Sequence, residues 1–295
     1  MMKICAEPSV MSVIIMECSG RWLHINVTGV VMSEILSLPF MQRALIAGIL
    51  VSLLAGYYGV FVVQRKLSFL GNGLAHATFG GVALAMLVGM EPLTVALPFT
   101  VFASIGITSV RRNTALGSDT VIGIFFAISM ALGIVFLALR EDYATDAFAY
   151  LFGSILAVSN ADVWVTLVMV VLSLLTLPIW GRWSYSTFDT ELAEVDRVKV
   201  ARDDYLLSVL IAVTVVVAVK VMGIVLVTAY LVVPAASARL ISRTFSMMTI
   251  TSVAFGIGST ILGLIASYHL DLPSGAMIVL VQSGIFIVCL PFSRG

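Results

Sequence analysis

The sequence predicts an all-α protein: a polytopic bundle of eight to nine transmembrane helices, with one short amphipathic helix in a cytoplasmic loop. Three observations carry this. Sixty per cent of the 295 residues are hydrophobic and 11% are charged, with a mean hydropathy of +1.11, whereas soluble domains carry about a quarter charged residues. The charges fall in short gaps between apolar stretches near the roughly 20 residues that a spanning helix needs. The alternating pattern of a membrane β-barrel is absent, and backbone groups in lipid have to be satisfied internally, which makes these stretches helices.

Nine apolar stretches follow one another: Pro39–Val63, Leu74–Gly89, Leu93–Val110, Thr120–Leu139, Asp162–Ile179, Tyr205–Val219, Gly223–Leu240, Met247–Ser267 and Ser274–Leu290. Lys220, Gly223 and Pro234 interrupt the region from Tyr205 to Leu240. It reads either as two spans or as one span plus a broken or re-entrant piece, hence eight or nine. Small residues recur at helical spacing, as in Ser259, Gly263 and Ser267, or Gly48 and Gly56. Such rows let membrane helices approach closely.

Charge orients the set, because cytoplasmic loops are rich in lysine and arginine. One series of gaps holds Arg65 and Lys66, then Arg111 and Arg112, then Arg182, Arg197, Lys199 and Arg202, then Arg239 and Arg243, and last Arg294. The alternate gaps hold Glu91, then Arg140, Glu141, Asp142 and Asp146, then Lys220, then His269 and Asp271. The basic series faces the cytoplasm, which puts the C-terminus inside. Glu91, Asp142, Asp146 and Asp271 make the outer mouth weakly acidic. That suits a cationic substrate, and equally a solvated loop.

Several function classes are excluded or weakened. Net charge is zero, so nothing points to nucleic acid. Cys5, Cys18 and Cys289 have no metal-ligand or disulfide spacing. No lysine follows a glycine, so the phosphate loop of an ATPase is impossible here; ATP, if used, is bound by another chain. There is no HExxH, no GxSxG and no polar catalytic constellation, so the chain is not expected to be an enzyme. Residues 1–31 have only a short apolar run at Val10–Met16. They read as an extension, disordered or mis-assigned, ahead of a natural start at Met32 and a membrane domain over 32–295. A poor signal sequence is the alternative.

Two places carry polar chemistry. The first is the cytoplasmic loop 181–204, GRWSYSTFDTELAEVDRVKVARDD. Ser186 or Thr187 is placed to cap a short helix, with Asp189 and Glu191 in its first turn, where acid is favoured. Phe188, Leu192 and Val195 share one face. Such a helix either lies on lipid or docks into a partner's groove; interfacial helices are usually basic, and this one is acidic. The second is His76, with Asn72 one turn earlier on the same face. Ionisable residues within spans usually face the bundle interior or an aqueous path. Imidazole and amide oxygen offer a divalent metal two weak ligands; a buried histidine hydrogen-bonded to Asn72 or to a carbonyl fits the same residues. Asp119 and Asp162, at span starts, are explained at least as well by helix capping.

Six collinear segments carry a family resemblance: RKLSFLGNGLAHATFGGVALA at 65–85, GSDTVIGIFF at 117–126, DAFAYLFGSILAVSNADV at 146–163, FDTELAEVDRVKV at 188–200, KVMGIVLVTAYLVVPAASARL at 220–240 and YHLDLPSGAMIVL at 268–280. From about Leu36 to Pro291 the chain resembles the permease subunit of the ATP-binding-cassette importers that take up zinc, manganese or iron. The AYLFG and VDRVKV segments are most similar to the zinc branch. The resemblance implies a multi-pass protein of a prokaryotic inner membrane. It implies a dimer of permeases, two cytoplasmic ATPase subunits and an extracytoplasmic metal-binding protein. The divalent metal, zinc first and manganese or iron as alternatives, is substrate, and no permanent cofactor is implied. The segment Phe188–Val195 matches the family's ATPase-coupling helix, and Asn72 and His76 fall on its metal path. The family commonly has aspartate where this chain has Asn72, so the pair lacks a carboxylate. A secondary transporter or channel is the rival, and would typically show more charge in mid-span.

Overall fold

The computed structural model describes residues 3–4, 12–16, 22–26, 39–139, 153 and 158–292. The described membrane domain is helical throughout: α1 (Pro39–Gln64), α2 (Leu70–Val88), α3 (Pro92–Asn113), α4 (Ser118–Ala138), α5 (Asn160–Leu174), α6 (Leu177–Phe188), α7 (Thr190–Val195), α8 (Val200–Met222), α9 (Val227–Ile241), α10 (Phe245–Leu270) and α11 (Ser274–Cys289). Nearer the N-terminus, β1 (Lys3–Ile4), β2 (Ser12–Met16) and β3 (Trp22–Asn26) pair as an antiparallel ladder in that order.

Seven of the helices are long and apolar enough to cross a membrane. The span predicted over Asp162–Ile179 is two helices, α5 and α6, bent by 69°. Leu175 and Thr176 form the break, and Pro178 opens the second piece, where its missing N–H costs nothing. The ambiguous region divides at Gly223, whose φ of 84° a side chain would resist. Before it runs the full-length α8; after it comes α9, only 15 residues long. Nine predicted stretches thus become seven full spans, one bent pair and one short helix.

α1, α2 and α8 are largely buried, whereas α4 and α11 carry much exposed apolar surface. Close approach of small residues sets the order of the packing. A Cβ on Gly59 would lie 2.1 Å from the Leu231 carbonyl oxygen, so α1 and α9 cross backbone to side chain-free backbone. Gly263 meets the Ile278 backbone in the same way, joining α10 to α11. The predicted small-residue row therefore marks a real crossing. Buried hydroxyls add polar ties. Ser52 on α1, Tyr230 on α9 and Thr260 on α10 lie within hydrogen-bonding distance of one another, with Tyr230 and Thr260 2.6 Å apart, and Ser52 and Tyr230 also reach the Gly48 carbonyl. Each such interhelical bond stabilises by about 0.6 kcal/mol on average.

Gly59→Ala is expected to cost about 1–3 kcal/mol by overpacking the α1–α9 crossing, read as a lower midpoint of thermal unfolding in detergent. Gly284→Ala, with nothing within 4 Å of its would-be Cβ, is expected to leave that midpoint unchanged.

Candidate functional site

The helix α2 begins after the turn at Arg65–Phe69 and is packed on both sides by glycine contacts. Gly81 approaches α3, where a Cβ would come within 2.6 Å of Ala96 Cα, and Gly73 approaches Ile122 of α4. This packing fixes the face that carries Asn72 and His76. Asn72 borders a groove of about 340 Å³ between α2 and α4, walled by Phe69, Gly73, Asp119, Ile122, Gly123 and Phe126. His76 lies one turn further in, half-buried, its ring edge against Phe126 with centroids 4.5 Å apart. Its Nδ1 is buried and has no hydrogen-bond partner among the described residues. The hydrogen-bonded packing role that fits the sequence equally well is therefore not made at this nitrogen. An unmet buried polar atom costs about 1–3 kcal/mol, and a neutral imidazole nitrogen is a ready metal ligand.

Sequence reasoning missed Asp119. Capping explains its position at the start of a span, but the residue before α4 is Gly117 and no side chain caps it. Asp119 instead lines the groove that Asn72 also lines. The carboxylate absent at position 72 is thus present on the facing helix. Only the GSDTVIGIFF motif hinted at it; nothing local shows that α4 turns this acid toward α2. The groove offers an amide oxygen and a carboxylate, and the His76 ring lies behind Phe126 of its wall. Among the described residues no three His, Cys, Asp or Glu side chains converge as a metal cage. Few ligands and an open groove suit transit, where binding has to be weak enough to release.

At the opposite end of α2 the capping expectation for Asp162 holds: with Ser159 it forms a capping box at the start of α5. It does more than cap. Its Oδ1 accepts from Lys220 Nζ of α8 at 2.7 Å, closing α5 onto α8. Glu91 caps α3 by accepting from the Thr94 amide at 3.2 Å, and it shares a narrow cavity with Lys220 and Thr78. Asp271 ends α10 in the left-handed region and is exposed. Asp142 and Asp146 lie outside the described residues.

The loop helix appears where expected, as α7, but with a different cap. Asp189 itself accepts from the Leu192 amide at 2.9 Å. Ser186 and Thr187 belong to α6, their hydroxyls donating back to the Trp183 carbonyl. A hydroxyl with a partner in the previous turn has no reason to cap the next helix. Phe188, Leu192 and Val195 are 60%, 48% and 77% exposed, and Glu191 is also exposed. Phe188 in addition packs edge-on against Phe245 of α10, with ring centroids 5.5 Å apart. The apolar face of α7 is thus presented outward, while its root is held to the bundle.

Residues 37–293 match the model of the ABC 3 transport family. The chain belongs to this family. It is 37% identical to the manganese import system permease protein ScaB of Streptococcus gordonii, over 84% of this chain and 90% of that one. It is 32% identical to the high-affinity zinc uptake system membrane protein ZnuB of Haemophilus influenzae, over 84% and 95%. Among solved structures it resembles PsaBC from Streptococcus pneumoniae in complex with Fab, with a TM-score of 0.79, 32% identity and coverage of 89% and 95%. Residues 1–36 lie outside the family match.

Lys220→Met leaves the Asp162 carboxylate uncompensated where the pair is 22% and 12% exposed. The expected loss lies between about 1 kcal/mol for an exposed pair and about 3 kcal/mol for a buried one. Thermal unfolding of Lys220→Met and of Lys220→Met with Asp162→Asn checks it: the double variant should be the more stable of the two.

Proposed function

We propose that this chain is the membrane permease of an importer for divalent metal ions, with manganese as the first substrate and zinc as the second. The groove that joins Asn72 and Asp119 beside His76 carries the reading. Its donors are oxygen and nitrogen, and carboxylate and carbonyl-type oxygens suit manganese while zinc sites favour nitrogen and sulfur. Cys289, the one described cysteine, is buried at the end of α11 and lines no part of the groove. The named relatives support the same order, the manganese permease at 37% identity and the zinc one at 32%.

A second copy of the chain completes the path. The groove lies on α4, and Gly123, Ile124, Ala127, Ile128, Ala131 and Leu132 of that helix are exposed. Small and apolar residues in such a row favour close helix association. The basic end, with the C-terminus, faces the cytoplasm of a prokaryotic cell. There the exposed surface made by Phe188 at the end of α6, Asp189 at the cap, and Glu191, Leu192 and Val195 of α7 docks on an ATPase subunit. Glu91 and Asp271, with Asp142 and Asp146, face an extracytoplasmic metal-binding protein. Nucleotide-driven movement of the ATPase then shifts the permease between states that expose the groove to either side. Such a shift requires contacts that differ between the two states.

In vesicles containing the complex, His76→Ala is expected to lower manganese uptake at least about tenfold, the loss seen even for residues behind metal ligands. Assembly should be retained; normal uptake would contradict the site. Asn72→Asp adds the missing charge, and should lower the manganese concentration giving half-maximal uptake while slowing release. Asp189→Ala with Glu191→Ala should reduce ATP hydrolysis stimulated by the metal-loaded binding protein, and unchanged stimulation would remove the docking assignment.

A further inference from the structure

The cytoplasmic-side end of the bundle holds a charge cluster that neither the groove nor the docking face of α7 explains. Asp204, just past the first turn of α8 and with its side chain 11% exposed, is approached by three arginines. Arg65 donates to its Oδ1, Arg112 donates to its Oδ2 at 2.7 Å, and Arg111 lies 3.8 Å from Oδ2. The arginine side chains are only 12–24% exposed. Three guanidiniums in so little water repel one another strongly, and the shared carboxylate is what holds them together. The neighbouring Asp203 is fully buried and takes a two-pronged contact from Arg182 of α6, both distances 2.7 Å.

The cluster reaches in two directions. Toward the docking face, Arg112 lies 3.8 Å from Glu194 of α7, and Arg65 donates to Thr187 and Ser186 in the last turn of α6. Toward the groove, Arg65 sits at the turn between α1 and α2, where Lys66 takes the left-handed conformation, so that Asn72 follows within two helical turns. Arg111 and Arg112 end α3, the helix against which Gly81 seats α2. One carboxylate therefore links, through its arginines, α7 to the α1–α2 turn that precedes Asn72 and His76.

We propose that Asp204 is a positioning residue for transport, the hub through which displacement of α7 is transmitted to the α1–α2 turn and so to the groove. The assignment rests on the importer reading above. A multi-armed ion-pair cluster suits the task because its partners exchange in discrete steps: Arg112 stands between Asp204 and Glu194 and has a place on either side. The neutral Asp204→Asn fills the same volume but releases the arginines. Asp204→Glu keeps the charge.

The test uses the complete complex in vesicles, with radiolabelled manganese as probe, and reads the number of ions taken up per ATP hydrolysed. Asp204→Asn is expected to lower that ratio about tenfold, within the usual range of coupling between sites, with hydrolysis continuing and Asp204→Glu recovering most of the loss. A wild-type ratio in Asp204→Asn overturns the proposal. If that variant does not assemble, Arg112→Gln carries the same expectation and the same refutation. Hydrogen exchange on the assembled complex gives a readout independent of transport. Asp204→Asn, or Arg112→Gln in its place, should speed exchange at both α7 and the turn 65–69; faster exchange confined to the first turn of α8 overturns the proposal. A wild-type complex that hydrolyses ATP without taking up manganese or zinc contradicts the importer reading itself, and the exchange measurement still decides the hub.

Discussion

The close seating of α2 between α3 and α4 is the constraint on which the rest depends. Gly73 and Gly81 have no side chain to hold the neighbours away, and a Cβ at either would strike Ile122 or Ala96. Between them α2 is fixed in rotation, and with it the row Asn72–His76. In lipid a polar side chain facing hydrocarbon is costly, so a helix with such a row has to turn it toward a cavity or a partner. Here it turns toward α4, where Asp119 and the edge of Phe126 meet it. The groove is a consequence of backbone proximity before it is a feature of its polar residues.

The same economy of polar groups organises both ends of the bundle. Lys220 is placed near the end of α8, within reach of the Asp162 carboxylate. At the opposite end of α8, Asp203 in its first turn, favourable for acid by the helix dipole, and Asp204 beside it gather arginines from α6, α3 and the α1–α2 turn. α8 is therefore pinned by charge at both tips and by apolar burial between them. α9 has no such anchors; its short length is offset by the crossing at Gly59 and by the Tyr230 hydroxyl shared with Ser52 and Thr260.

Much of this was legible in the chain. Hydropathy found the full-length spans but not α6, whose residues 181–188 read as loop because they are polar, and of the expected interruptions Gly223 ends a helix while Pro234 lies inside α9. The depth of the break near Pro178 was not legible, because a proline in the first turn of a helix looks the same as one that bends a single span. Phe188, Leu192 and Val195 were readable as a face because helical spacing is local. Asp119 and Asp204 were not. Each sits at a helix start, where capping or the dipole already accounts for an acid, and only the fold shows that one faces Asn72 and the other faces three arginines. The cap of α7 was misread for a related reason: Ser186 and Thr187 have a hydroxyl to offer in either direction, and the turn behind them accepted it.

The central claim is that the α2–α4 groove, with the His76 imidazole at its inner side, is where the transported metal touches this chain. Pulsed electron paramagnetic resonance on manganese(II) added to the nucleotide-free complex, without its binding protein, addresses it directly. The account predicts a nitrogen coupling that changes when histidine carries a different nitrogen isotope and disappears in His76→Ala. A manganese signal with oxygen ligands alone, or one unaffected by His76→Ala, would contradict it.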